Sequence, residues 1–252
     1  MNETVRAHGK RAICFDVNQT LVQQELSFET CFRSVWETYA GRWVHDDDVR
    51  AEQLWEQYMT RWQQRRKGKT GFRQLDELQQ QCLRDAFHAL DLPVSGSMAE
   101  SFIQEVRWMQ TSAKTVSPQA YETLELLSKA YRLAIISNSS QTEVLHMLGR
   151  FGLDSFFPAE HVFTTQRHGD KKPSPHLFQA AMHTLQVAPR QVIMVGNSWK
   201  HDVCGAVKAG MDAVWLQQSS SAATDKKISR QRLGRRYVYL IKRLDQLREL
   251  LP

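Results

Sequence analysis

No run of roughly eighteen apolar residues, the least a membrane-spanning helix needs, occurs in this 252-residue sequence. The opening residues, MNETVRAHGKR, lack the apolar middle of a secretory leader. Both absences lead us to expect a cytoplasmic protein without a membrane partner. Cysteine is scarce. Cys14, Cys31, Cys82 and Cys204 stand far apart, with no CxxC and no histidine-rich spacing, which argues against a zinc site or a disulfide framework and for reduced thiols. Cys14 falls inside an apolar strand pattern and reads as core. No helix-turn-helix, zinc-finger or RNP-type signature accompanies the formal charge of +6, so nucleic acid is not the expected partner. The two basic stretches, RWQQRRKGK (61–69) and KKISRQRLGRR (226–236), read as solvated faces or as attraction for an anionic substrate. Internal repeats are absent, and SSSAATDKK (219–227) reads as a polar loop.

What is present is a change of pattern along the chain. RAICF (11–15) reads as a short buried strand that runs into Asp16. From Ser27 to about Gln110, large apolar residues recur at helical spacing: Phe28, Phe32, Val35 and Trp36; Leu54, Trp55, Tyr58 and Trp62; Leu75, Leu78, Cys82 and Phe87. Breaks near Gly41, Gly68–Gly71 and 92–96 divide this stretch into four helices with no strand, and the aromatic stripe reads as helix packing. After Ser117–Pro118 helices alternate with short apolar strands. Helices are expected over 118–129, 141–150 and 174–186, and from the residues after 195 to Gly210. Strands are expected at Leu133–Ile136, His161–Thr164, 191–195 and Ala213–Leu216. A strand or extended piece and a last helix complete the tail. This alternation indicates an α/β fold, a Rossmann-like parallel sheet core with an inserted all-helical cap. The expected domains are a core of residues 1–21 and 113–252 and a cap of residues 22–112.

In open parallel sheets, ligands bind outside the carboxyl ends of the strands. Asp16, Ser137 and Gly196–Asn197 each come at such an end, which gathers them at one crevice although they are far apart in sequence. Four segments then stand in order: Asp16-Val17-Asn18-Gln19-Thr20; Ser137-Asn138; Lys172-Pro173; and VGNSWKHDVCGAVKAGM (195–211), with Asn197 and Asp202. Their order and spacing resemble the haloacid dehalogenase-like hydrolase superfamily over nearly the whole chain.

That resemblance implies a chemistry. Asp16 would be the nucleophile and form an aspartyl-phosphate. Mg²⁺ would be held by Asp16, the backbone carbonyl of Asn18, Asn197 and Asp202, the last directly or through water. The Ser137 hydroxyl and the Asn138 backbone N–H would bind phosphoryl oxygens. Lys172, chosen over Lys171 because it directly precedes proline, would neutralise those oxygens and Asp16. Thr20 would brace the nucleophile loop. The substrate would be a small phosphorylated molecule. Arg33, Arg42, Arg61, Arg65, Arg66 and Lys67 are candidates to meet its anionic group. Nothing in the sequence fixes the substrate or the oligomeric state.

Two positions depart from the family's phosphatases. Asn18 stands where most carry an Asp that protonates the leaving alcohol and then activates water. Asn197 stands where most carry a second acid. An amide oxygen can still ligate a metal but brings no charge. Three readings follow, in this order: a phosphatase with an impaired acid–base step, a phosphate-binding pseudoenzyme, and a haloacid dehalogenase, whose halide leaves unaided. FDVNQTLV (15–22) is similar to the opening motif of the dehalogenase branch. That branch also carries a Tyr where this chain has Phe178, and Ser-Ser-Asn-x-x-Asp where this chain has Gly-Asn-Ser-x-x-x-Asp.

Overall fold

The computed structural model describes residues 7–43, 50–67, 72–92, 96–165, 169–217 and 227–251. The chain forms two compact units, one made of Met1–Gln23 with Thr115–Pro252, the other of Gln24–Lys114. In chain order the elements are β1 (Ala12–Phe15), β2 (Gln23–Gln24), α1 (Phe28–Trp43), α2 (Ala51–Arg65), α3 (Phe72–His88), α4 (Gly96–Ser112), β3 (Lys114–Thr115), α5 (Pro118–Ser128), β4 (Arg132–Ser137), α6 (Gln141–Arg150), β5 (Val162–Thr164), α7 (His176–Thr184), β6 (Val192–Gly196), α8 (Cys204–Lys208), β7 (Asp212–Leu216), β8 (Ser229–Leu233), β9 (Arg236–Ile241) and α9 (Leu247–Leu250). The short strands β2 and β3, where the chain leaves the first unit and returns to it, pair with each other.

The first unit is built on a seven-stranded sheet in the order β5-β4-β1-β6-β7-β9-β8, parallel except for β8, which runs antiparallel to β9. β1 is central and buried on both faces, so its four residues are all apolar. Period-two alternation divides them. Ile13 and Phe15 pack with Leu124, Val144, Leu148 and Leu247 on one side. Ala12 and Cys14 pack with Phe178, Ala181 and Ala206 on the other. Full burial pushes the Cys14 thiol up to about 12, which makes it the inert core residue the sequence suggests. On the second side helix α8 comes close to α7 and to Pro173. A Cβ on Gly205 would lie 2.7 Å from the Phe178 ring and 3.2 Å from the Pro173 Cα. Register sets where the strands end: Phe15, the last residue of β1, stands opposite Ile135 on β4 and Val195 on β6, so β6 runs one residue and β4 two residues further.

Local signals account for the helix ends. The Ser117 hydroxyl accepts from the Ala120 N–H, with Pro118 in the first turn of α5. The Ser140 hydroxyl accepts from the Glu143 N–H at the start of α6. Gly152 just beyond α6 adopts φ +62°. Three expectations need correction. The helix foreseen up to Gly210 begins instead as a π-type turn (Trp199–Val203), in which Val203 N–H donates to the Ser198 carbonyl five residues back. The helix foreseen over 174–186 spans only His176–Thr184, with Ser174 and Pro175 in the turn before it. The basic stretch at 226–236 holds an unforeseen edge strand, β8. Arg230 and Arg232 there lie over the Tyr237 ring at 5.0 and 5.8 Å. The loop foreseen over 219–227 lies, but for Lys227, outside the described residues.

The second unit packs α1–α4 around one apolar cluster. Phe32 is its hub, with ring centroids of Trp55, Tyr58 and Phe102 at 5.1, 5.0 and 4.9 Å. The aromatic stripe is therefore packing. Several basic side chains offered for an anionic substrate have partners within this unit. Arg33 pairs with Glu29 and Glu52, Arg65 with Asp85, and Arg61 with the Gln57 side chain. Arg66 and Lys67 are exposed. The Arg42 side chain and the break at Gly68–Gly71 lie outside the described residues. No helix among the described residues is long and apolar enough to cross a membrane.

Candidate active site

The neighbouring ends of β1, β4 and β6 bring the motif residues together. Lys172 is the centre. Its Nζ donates to Asp16 Oδ1, to the Ile136 carbonyl and to Asp202 Oδ1, each at 2.7 Å. All three side chains are buried, with Lys172 3 % and Asp202 1 % exposed. The segment that carries Lys172 is fixed by Asn138, whose side chain pairs with the Lys172 peptide in both directions. Asn138 Oδ1 accepts from the Lys172 N–H at 2.7 Å, and Nδ2 donates to its carbonyl at 3.2 Å. Asp16 is set by its own N–H, which donates to the Val195 carbonyl at 2.9 Å. Asp202 is set from the other side, where Oδ2 accepts from the Ser198 N–H at 2.9 Å.

Two carboxylates against one ammonium give the ionised cluster one net negative charge in a poorly solvated place. Burial pushes Asp16 up from its usual value, Lys172 offsets part of that, and Asp202 adds to it. Burial pulls Lys172 down, but the two carboxylates outweigh it and the lysine stays protonated, with its pKa raised. The uncompensated charge and the hard oxygen donors suit a divalent cation. Among the described residues no three His, Cys, Asp or Glu side chains gather into a metal cluster. Such a cation would have to draw on amide and backbone oxygens as well, and the Asn18 carbonyl is of that type.

The remaining sequence candidates fall into place unevenly. Ser137 is buried at the end of β4, and its hydroxyl accepts from the Ser139 N–H at 3.2 Å. Asn18 Nδ2 donates to Ser139 Oγ at 3.3 Å, which ties the loop after β1 to the turn after β4. The Thr20 hydroxyl, expected to brace that loop, is buried without a hydrogen-bond partner among the described residues; its backbone ties the loop instead, the N–H donating to the Val17 carbonyl and the carbonyl accepting from Gln23 Nε2. Asn197 is exposed, and its carbonyl accepts from Trp215 Nε1 at 3.0 Å. Phe178 is core. Ser139 and Ser198 were not singled out from sequence, whereas Gly196 was placed with Asn197 at its strand end but given no role. A Cβ on Gly196 would lie 2.4 Å from the Asp202 carboxylate, so the glycine makes room for the acid. Gly196→Ala is expected to displace Asp202 and to cost about 1–3 kcal/mol in urea denaturation. An unchanged midpoint together with unchanged activity would show that the close approach is relaxed in solution.

A family model described as haloacid dehalogenase-like hydrolase matches residues 10–210. A glyceraldehyde 3-phosphate phosphatase of Methanothermobacter thermautotrophicus is 33% identical over 135 residues, 53% of this chain and 58% of the relative. The enzyme of the same description from Pyrococcus furiosus is 35% identical over 136 residues, 53% of each chain. This chain thus spans little more than half the length of the curated relatives it matches. Among solved structures, a 2-haloacid dehalogenase from Pseudomonas syringae superposes with a TM-score of 0.59 at 22% identity, covering 95% of this chain and 97% of that one, which is a likeness of fold. With its sheet, its four motif segments and a family match over most of its length, the chain belongs to the haloacid dehalogenase-like hydrolases.

Proposed function

We propose that this protein is a magnesium-dependent phosphatase that acts on a small phosphorylated metabolite through an aspartyl-phosphate at Asp16, with the helical unit as its substrate-selecting cap. The observation that carries the reading is the Asp16–Lys172–Asp202 cluster at the neighbouring ends of three parallel strands, beside Ser137 and Asn138. The phosphatase descriptions of the relatives support the same class. Asp16 attacks phosphorus as the bond to the leaving oxygen breaks. Water then attacks the phosphorus of the acyl phosphate, which frees phosphate and restores the carboxylate. The Ser137 hydroxyl and the Asn138 N–H hold the equatorial oxygens. Lys172 supplies positive charge beside them and keeps Asp16 in line. Mg²⁺, held by Asp16, the Asn18 carbonyl, Asp202 and the Asn197 side chain, would supply charge neutralisation for the phosphoryl group.

Asn18 has no proton to give, so the leaving oxygen must take its proton from water. That favours leaving groups that are stable as anions, such as aryl or acyl phosphates, over alkoxides. The same residue supports the second reading, a phosphate-binding pseudoenzyme that retains the site without turnover.

The test is a panel of phosphorylated metabolites and 2-haloacids, assayed with and without Mg²⁺. Turnover of phosphate esters that stops on chelation is expected. Asn197→Asp adds a charge at the proposed metal site and should lower the Mg²⁺ concentration for half-activation about tenfold. Haloacid turnover that is indifferent to chelation would replace this reading with the dehalogenase one.

A further inference from the structure

Residues 226–244 hold eight lysines and arginines and no acid. Within this stretch β8 forms one edge of the seven-stranded sheet, antiparallel to β9. Register puts Arg230 opposite Tyr239 and Arg232 opposite Tyr237, so the two arginines share one face of the sheet. Arg230, Arg232 and Arg235 are exposed, and the ion pairs among the described residues involve none of them. This charge does not serve the crevice at Asp16. β8 stands four strand spacings from β1 in the sheet, roughly 19 Å. Arg232 and the turn after it also lie at the opposite end of the strands. Their partner Tyr237 comes just before the pair Val238–Ala213, near the start of β7, whereas Asp16 follows the last residue of β1. We propose that β8 takes up an extended acidic segment of another protein, which joins the sheet as its eighth strand.

Backbone and charge together select that occupant. An edge strand turns every second N–H and C=O outward, and an extended chain can satisfy such a row. Arg230 and Arg232, two residues apart on one face, match carboxylates at alternate positions of the incoming strand. A second copy of this chain is the wrong partner, because β8 against β8 would set arginine against arginine. A nucleic acid uses the charge but not the backbone row. The aromatic it would stack on is already taken: Tyr237 is 39 % exposed, with the guanidinium groups of Arg230 and Arg232 over its ring at 5.0 and 5.8 Å.

The inference goes beyond the phosphatase reading and stands without it, because binding itself is measured. The probe is a fluorescein-labelled decapeptide in which Glu alternates with Val and Thr, titrated into the full chain by anisotropy. One comparator carries Gln for each Glu, which keeps the strand and removes the charge. Another carries Pro at the positions between, which keeps the charge and forbids the strand. The Glu peptide should bind at least about tenfold more tightly than either, and more weakly as salt rises. It should also slow amide hydrogen exchange in β8. Arg230→Gln combined with Arg232→Gln should weaken it about tenfold with the circular dichroism unchanged, while Arg66→Gln, an exposed cation of the helical unit, should have no effect. Equal binding of the proline peptide, or no slowing of exchange in β8, would overturn strand addition. Tighter binding of a labelled ten-nucleotide oligothymidylate would give the patch to nucleic acid instead. No binding of the Glu peptide at millimolar concentration would also overturn the proposal and leave the arginines as a guard against edge-to-edge pairing.

Discussion

Asp16→Asn protein should fold as the wild type does and lose turnover by roughly ten-thousand-fold or more, because the amide cannot form the acyl phosphate. The structure makes the folding half of that statement specific. In the native state, burial and the Asp202 carboxylate hold the Asp16 pKa above its ordinary 3.8. Between that value and the raised one, the folded protein binds the proton that the unfolded chain has released, so rising pH weakens folding through this interval. Asparagine removes the effect and leaves Lys172 with one carboxylate for its one charge. Near neutral pH the variant should therefore melt at or above the wild-type temperature, and the difference should shrink as pH falls through the interval towards 3.8. Scanning calorimetry across pH, with a single-turnover assay beside it, measures both halves. Retained turnover in the variant would remove the covalent route.

The second large effect concerns Asn18. If the whole acid–base contribution is missing, alkyl phosphates lose about 10² to 10⁴ in rate, or ~3–5 kcal/mol of barrier, while aryl and acyl phosphates lose little. Asn18→Asp should return most of that for alkyl substrates alone. The measurement is kcat/KM against leaving-group pKa for both proteins. A steep line in the wild type that flattens in the variant is the expected result, and parallel lines would show that the amide does not limit the site. The substitution also loses the Asn18 Nδ2 donation to Ser139 Oγ, so Ser139→Ala is the control for loop displacement. Absence of turnover by both proteins on every ester would favour the pseudoenzyme.

Much of this architecture was legible in the sequence, for identifiable reasons. AICF is apolar throughout because β1 is covered on both faces, and α6 is marked at both ends, by Ser140 and by Gly152. β8 left no such mark. Its SRQRL is polar because it forms the sheet's edge, exposed among the described residues, where the apolar alternation that identifies a strand never develops. The π-type turn at Trp199–Val203 depends on one residue of extra winding, which periodicity cannot resolve at that length. In the site, Asp16, Ser137 and Gly196 lie at the strand ends where the sequence put them. The motifs could not say which way side chains turn. Asp16, Lys172 and Asp202 meet, whereas Asn197 stands exposed and the buried Thr20 hydroxyl finds no acceptor among the described residues. Gly196 was visible as a letter, but its purpose lies in the 2.4 Å that separates a hypothetical methyl from Asp202.

An ammonium has three protons, and Lys172 has already placed all of them, on two carboxylates and one peptide oxygen. A newcomer at this centre can only be greeted by exchange: one existing bond must be surrendered for each one offered. The Ile136 carbonyl is the neutral member of the three and so the cheapest to release. Occupancy of the crevice would then be felt at the end of β4 as a carbonyl suddenly without its donor, a change in amide vibration or hydrogen exchange that needs no chemistry to occur. Arginine could not take over this task, since its flat fork cannot converge on three acceptors arranged around a point.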